Sequence, residues 1–149
     1  MTNLVENKKV RFHYEIQENF EAGISLFGFE VKALKNKQGS LLGSYIVIRG
    51  GEAFLVEAEI PAYQKANTPD SYDPRRNRKL LLNKKELVRL GDFENQKGLT
   101  LVPISLYNKG RNIKLNFAVA RGKKKADKRE TIKRREADRE INRTLKKMR

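Results

Sequence analysis

The chain has 149 residues, with 33 Lys and Arg against 18 Asp and Glu, a formal charge of +15 and a pI near 10.1. One His and no Cys exclude a disulfide framework, a thiolate zinc site and a His-pair metal site within one chain; a carboxylate-only metal site stays open, but nothing in the composition asks for one. No apolar run approaches the ~18 residues of a spanning helix and no signal segment opens the chain, so the expected place is the cytosol and the expected partner a polyanion: RNA, DNA or an anionic membrane face.

Tyr14 to Ile16 and Gly23 to Leu26 read as short strands. His13, between Phe12 and Tyr14, has no nucleophile or base partner and reads as a strand or surface residue. Phe29 to Asn36 reads as a short helix, with Val31 and Leu34 at i, i+3 and Gly39 a little past its end. Glu30 at its start has two accounts: an acid placed near the helix's positive end, or a carboxylate accepting a hydrogen bond from an RNA base edge. Spacing alone favours the first. Ser44 to Ile48 is β-branched and aromatic, and Gly50-Gly51 supplies the positive φ angles of a hairpin turn. Ala53 to Ile60 then alternates, which would place Phe54, Val56, Ala58 and Ile60 on one face.

Asp73-Pro74-Arg75-Arg76-Asn77-Arg78-Lys79 is a basic segment; from Arg75 to Arg89 there are seven basic residues and one acid, Glu86. Guanidinium forks bind phosphate bidentately and stack on bases, so dense Arg in a loop suits RNA. The plainer account is a solvated loop. Asn83-Lys84-Lys85-Glu86 has the form of a capping box, opening a helix with Leu87 and Leu90. Leu99 to Tyr107 leads through Asn108-Lys109-Gly110 into Asn112 to Ala120, where Ile113, Leu115, Phe117 and Val119 would face in and Lys114 and Asn116 out. Pro103 lacks an amide donor, so its strand is expected at an edge or with a bulge. Tyr45, Tyr63, Tyr72 and Tyr107 have the chemistry to stack on bases, but in a small barrel Tyr is more often half-buried packing, and none is read as a site on its own. The pattern is mainly β: a small antiparallel barrel, OB-type or another of its size, with two or three helices.

Composition changes at Gly122, which divides the chain into a barrel over 1–122 and a tail over 123–149. Residues 121–149 carry 14 Lys and Arg against five Asp and Glu, and no aromatic follows Phe117. Ala137, Ile141, Leu145 and Met148 form a thin apolar seam at helical spacing. Four such residues do not offset ordering costs of ~1–2 kcal/mol per residue. The free tail is therefore expected to be disordered and to fold against a polyanion. A plain basic extension, a coiled-coil partner and an in-plane membrane helix are the other readings.

Seven segments in order carry a resemblance: Glu21-Ala22-Gly23-Ile24, Phe29-Glu30-Val31-Lys32-Ala33-Leu34, Ser44-Tyr45, Gly51-Glu52-Ala53-Phe54-Leu55, Asp73 to Leu82, Gly98 to Pro103, and Ala120-Arg121-Gly122-Lys123-Lys124-Lys125 with Asp127-Lys128-Arg129-Glu130. Together they closely resemble the SmpB family of bacterial SsrA-binding proteins, over nearly the whole chain. The resemblance implies an OB-type barrel that binds the tRNA-like domain of tmRNA (SsrA RNA) and enters ribosomes stalled on messages lacking a stop codon, in trans-translation. It implies no enzyme activity, no cofactor, no metal and no membrane, and a chain acting as a monomer. Its tail would reach the decoding centre and lie as a helix in the empty mRNA channel of the small subunit.

By position, Glu30 matches the family's RNA-contacting acid, which reverses the reading from spacing. Lys32, Arg75, Arg76, Arg78 and Lys79 match the basic RNA-binding surface. Lys123, Lys124, Asp127, Lys128 and Arg129 match the proximal tail motif, and Ile141 and Leu145 the distal tail helix. Phe12 stands where many members carry His, and Tyr72 precedes Asp-Pro where His is frequent. Ala126 occupies a position where Tyr or His is usual, and a ring there would add stacking worth ~1–3 kcal/mol. The rivals are a ribosomal or other structural RNA-binding protein without a rescue role, a DNA-compacting protein, and an RNA-processing enzyme. One His and scattered carboxylates speak against the last.

Overall fold

The computed structural model describes residues 2–64 and 68–123. Seven strands and three helices follow in the order β1 (Thr2–Glu6), α1 (Val10–His13), β2 (Tyr14–Ile24), α2 (Gly28–Lys35), β3 (Tyr45–Arg49), β4 (Glu52–Val56), β5 (Arg78–Leu81), α3 (Lys84–Glu94), β6 (Leu99–Lys109) and β7 (Asn112–Gly122). The strands form one antiparallel sheet in the order β1-β6-β7-β2-β5-β4-β3. It curls until β3, at one edge, packs against β6, next to the other. This is the expected small barrel, and the seam between β3 and β6 has no ladder of hydrogen bonds.

The core is the concave face. Leu55, Leu101, Leu106, Leu115, Phe117 and Val119 are buried there, with Ala33 and Leu34 of α2 and Leu90 of α3 closing it. Burying such side chains contributes roughly 1.5–3 kcal/mol each relative to leaving them in water, which decides which strand face turns inward. The predicted inward set of β7, Ile113, Leu115, Phe117 and Val119, is buried in full. Outside the sheet, α1 lays Val10 over Val102 and Ala120, with Tyr14, Ile16 and Ile104 around them. His13 ends that helix, its ring edge-on to Phe12, rather than lying in a strand.

Tertiary structure departs from the local readings at four places. The two short strands expected around Tyr14 and Gly23 are the ends of one 11-residue strand. Its middle is polar because one face looks out to water, and its register slips once between Ile16 and Glu18. In the expected 53–60 strand, regular pairing with β3 stops at Val56, and Glu57 has φ 63. That turn resets the alternation: Ala53 and Leu55 point in before it and Ala58 and Ile60 after it, while Phe54 is only half-buried. Arg78 and Lys79, read as part of a basic loop, lie in β5, paired with β4 and next to Leu80 and Leu81 in that strand. Pro103 sits at a register shift, as expected of a bulge, but in β6, an interior strand whose Pro103 carbonyl accepts from the Asn7 amide at 3.1 Å.

The capping box of α3 forms as read. The Asn83 side chain accepts from the Glu86 amide at 2.8 Å, and Glu86 Oε1 lies 3.4 Å from the Asn83 amide. Asn83→Ala should cost about 1 kcal/mol, read as a lower urea midpoint at unchanged slope.

Candidate nucleic-acid interface

Strand parity builds the first surface. On β2, Asn19, Glu21 and Gly23 point to the outer face; across the ladder stand Ala118, Asn116 and Lys114 of β7, then Ser105 and Tyr107 of β6. On the other side Leu81 of β5 pairs with Gly23, and Lys79 shares its face two residues back. A Cβ on Gly23 would sit 3.2 Å from the Leu81 Cβ, so the glycine allows this close approach. Leu81 is 57% exposed, an apolar platform in a shallow groove with Val31, Arg111 and Lys114. Beside it runs a second groove of about 780 Å³, lined by Asn3, Asn7, Asn19, Glu21, Tyr107 and Asn116, with Lys8 and Arg11 on its wall.

Glu21 organises that groove. Tyr107 donates a short hydrogen bond to its Oε2, and Lys109 Nζ donates to Oε1 at 2.9 Å. The Tyr107 hydroxyl and then the Lys109 ammonium hold the Glu21 carboxyl below its ordinary pKa, so it is an anion at neutral pH. Burial and the facing carboxylate push the Tyr107 phenol up, so it remains a donor. Among the described residues the side-chain amides of Asn19 and Asn116 have no hydrogen-bond partner. Amides and a carboxylate in a groove walled by cations match the donors and acceptors of unstacked base edges. The sequence reading placed Asn116 outward and weighed Tyr107 for stacking but did not assemble them with Asn19 and Glu21, because a strand broken into two short pieces hides its own outer row; the alternation of Phe20, Ala22 and Ile24 with Glu21 and Gly23 was the available signal.

The second cluster surrounds Glu30. In the third residue of α2 its Oε1 accepts from the Phe27 amide at 2.7 Å, tying off an end-of-helix donor. The same oxygen takes Arg76 Nη2 at 2.5 Å; Oε2 takes Arg78 Nε at 2.9 Å and Nη2 at 2.7 Å, and Arg76 Nε at 3.2 Å. The Tyr72 hydroxyl lies 2.8 Å from Oε2 and 2.7 Å from the Ile60 carbonyl, its one proton serving both. Arg78 donates further to the carbonyls of Ala58, Pro74 and Arg76. Burial would push the Glu30 carboxyl up, but the Arg76 hydrogen bond, the Phe27 amide and the Arg78 charge outweigh it and hold the carboxyl below its ordinary value. Tyr72 moves the other way, pushed up to about 12 by burial and by Glu30.

Two of the expected contact residues are set apart by burial: the Glu30 and Arg78 side chains are both 0% exposed. They hold the segment 72–78 against α2. Arg76 is 23% exposed, its guanidinium 4.1 Å from the Phe27 ring centroid, and Arg75 stands out at 61% with loose pairs to Glu57 and Glu59. Lys32 is exposed, and Lys79 pairs with Glu52 at 3.1 Å while half exposed. Such surface pairs are worth ~0–1 kcal/mol and exchange readily for phosphate. Lys123 is described to its end-of-strand position, where its amide donates to the His13 carbonyl at 2.8 Å. Lys124, Ala126, Asp127, Lys128, Arg129, Ile141 and Leu145 lie outside the described residues. Among the described residues no helix is long and apolar enough to cross a membrane.

Comparison with known proteins bears on this geometry. The family model "SmpB protein" matches residues 4–147. The curated SsrA-binding protein of Clostridium acetobutylicum is 46% identical over 143 residues, 96% of this chain and 92% of its own. Those of Gloeothece citriformis and Microcystis aeruginosa are 45% and 43% identical over 143 residues, covering 92% and 93% of the relatives. A solved structure described as "tmRNA-SmpB: a journey to the center of the bacterial ribosome" superposes with a TM-score of 0.68 at 43% identity, over 85% of this chain and 92% of that one. With a family match over nearly its full length, relatives of near-equal size and the same barrel, this chain belongs to the SmpB family.

Proposed function

We propose that this protein binds the tRNA-like domain of tmRNA (SsrA RNA) and delivers it to stalled ribosomes for trans-translation, acting in the cytoplasm as a monomeric binding factor without chemistry of its own. The observation that carries the reading is the outer row Tyr107, Lys114, Gly23, Leu81, with Glu21 and Asn116 one step along it. A row of that kind offers an apolar platform, amides and cations on one face, which suits a folded RNA whose loop bases are splayed out. Lys32, Arg75, Arg76 and Lys79 add phosphate contacts, and Glu30 and Arg78 serve by positioning the segment that carries Arg75 and Arg76. The tail from Lys123 onward, with Lys124, Asp127, Lys128, Arg129, Ile141 and Leu145, acts on the ribosome after delivery.

Capture tests the reading: immobilised protein should retain tmRNA from a bacterial lysate in preference to bulk tRNA. With purified RNA, neutralising about six phosphates predicts that log affinity falls with log salt at a slope of roughly −4 to −5. Glu21→Ala should weaken that complex by about tenfold, since a base-edge contact of this type is worth ~1–3 kcal/mol of discrimination. A flat salt response, or full affinity after loss of Glu21, would refute the assigned face.

A further inference from the structure

The basic segment 75–79 loses its net charge once the chain is folded. Four cations lie in it, Arg75, Arg76, Arg78 and Lys79, and each has a carboxylate within 4 Å. Glu30 takes Arg76 and Arg78 in the buried cluster. The other two cations are met from the neighbouring strand. Residues 52–60, which run along β4 and past its end, hold three acids and no Lys or Arg. Lys79 Nζ stands 3.1 Å from Glu52, and the Arg75 guanidinium 3.8 Å from Glu57 and 3.5 Å from Glu59. Four cations face four carboxylates, and the segment is neutral as a whole.

Backbone contacts hold these acids in place. The Ile60 amide donates to the Pro74 carbonyl at 2.9 Å, tying the residue after Glu59 to the residue before Arg75. The Glu59 amide donates to the Ser40 carbonyl at 3.0 Å, and its carbonyl accepts from the Ser40 amide at 2.8 Å. Across from it, the Asp73 carboxylate accepts from the Arg75 amide at 2.9 Å and fixes that turn. Glu57 stands at φ 63, a left-handed backbone that glycine adopts freely and other residues seldom do. A glutamate kept at that position brings a carboxylate to Arg75 where glycine would bring none.

The five side chains are all about half exposed, from 49% to 61%, so water and salt reach the pairs. Exposed pairs of this kind stabilise a fold little. Their consequence is electrostatic. An RNA arriving by charge alone meets an acid beside each exposed cation, and its phosphate takes the cation only by displacing that acid.

We infer that Glu52, Glu57 and Glu59 form an autoinhibitory screen: in the free protein they occupy the phosphate positions of Lys79 and Arg75, and RNA engages these two cations by exchanging phosphate for carboxylate. The screen rests on the RNA-binding reading above and adds to it a limit on affinity. A neutral segment does not attract phosphates from solution, so they reach it once the rest of the RNA is held elsewhere on the protein.

The test measures binding of the full chain by fluorescence anisotropy across a series of salt concentrations, with an oligouridylate and with a transcript of the tRNA-like domain. Glu57→Gln with Glu59→Gln should tighten both RNAs by about threefold, the worth of one exposed ion pair. The fall of log affinity with log salt should steepen by roughly 0.7–0.9, as one further phosphate is neutralised. In an Arg75→Ala background the same two substitutions should change neither value. Glu52→Gln should act likewise through Lys79, and its effect should vanish with Lys79→Ala. Glu57→Gly suits the left-handed backbone; it should keep the melting temperature and give part of the tightening, which covers a Gln variant that folds poorly. Equal tightening with and without Arg75 would mean that total charge alone had acted, and would overturn the inference. Unchanged or weaker binding would overturn it too, since the acids would then merely hold the segment in shape. If oligouridylate responds as expected and no variant binds the tRNA-like transcript, the screen stands and the functional reading falls.

Discussion

Glu30→Leu should cost about 3–5 kcal/mol of folding free energy, since removing one member of a buried ion pair leaves the other charged and unpaired. Here two guanidiniums would be left, Arg78 wholly buried and Arg76 largely so, around an apolar side chain. Against a total stability of about 5–15 kcal/mol that is a large share. Buried ion pairs can sometimes be replaced by apolar residues at no cost, but the double variant Glu30→Leu with Arg78→Met should not recover. Arg78 also supplies the carbonyls of Ala58, Pro74 and Arg76, and all three would lose that donor. Urea denaturation of the three proteins checks the order: wild type most stable, both variants far below it.

The same carboxyl sets an acid limit. Its folded pKa lies below its unfolded one, so its contribution is complete above the unfolded value and disappears as pH falls through the folded value. Glu30→Gln, which keeps the shape without the charge, should therefore lose less stability than the wild type on acidification through the carboxylate range. It should also weaken RNA binding at neutral pH, through the segment that presents Arg75 and Arg76. Equal acid sensitivity in the two proteins would contradict this account of Glu30.

Truncation after Lys123 should leave binding of tmRNA largely intact and abolish peptide tagging in a purified translation system with stalled ribosomes. The point of cleavage matters. Gly122 pairs with Tyr14 and the Lys123 amide bonds to the His13 carbonyl, so a cut after Arg121 would remove the end of β7 along with the tail. A cut after Lys123 spares both contacts. The tail carries much of the charge, so non-specific affinity for RNA should fall and its salt dependence flatten, while discrimination between tmRNA and bulk tRNA persists. Loss of that discrimination would overturn the division of labour between barrel and tail.

Much of this protein was legible from residue order alone, where the forces are local. The Asn83 cap, the Gly50-Gly51 turn and the inward row of β7 depend on neighbours within a few residues, and each stands as read. So did the basic character of the chain and the family resemblance, which needs residue identities and no geometry. Three matters depended on distant parts of the chain meeting. Glu57 adopts φ 63 and reverses which side chains face the core, a register no alternation pattern contains. Arg78 looks in sequence like one more surface cation, yet it is buried because Glu30, 48 residues away, meets it there with the charge and oxygens that make burial tolerable. The outer row of Tyr107, Lys114, Gly23 and Leu81 exists only once four strands stand in register, since a binding face on a sheet is written across strands rather than along one.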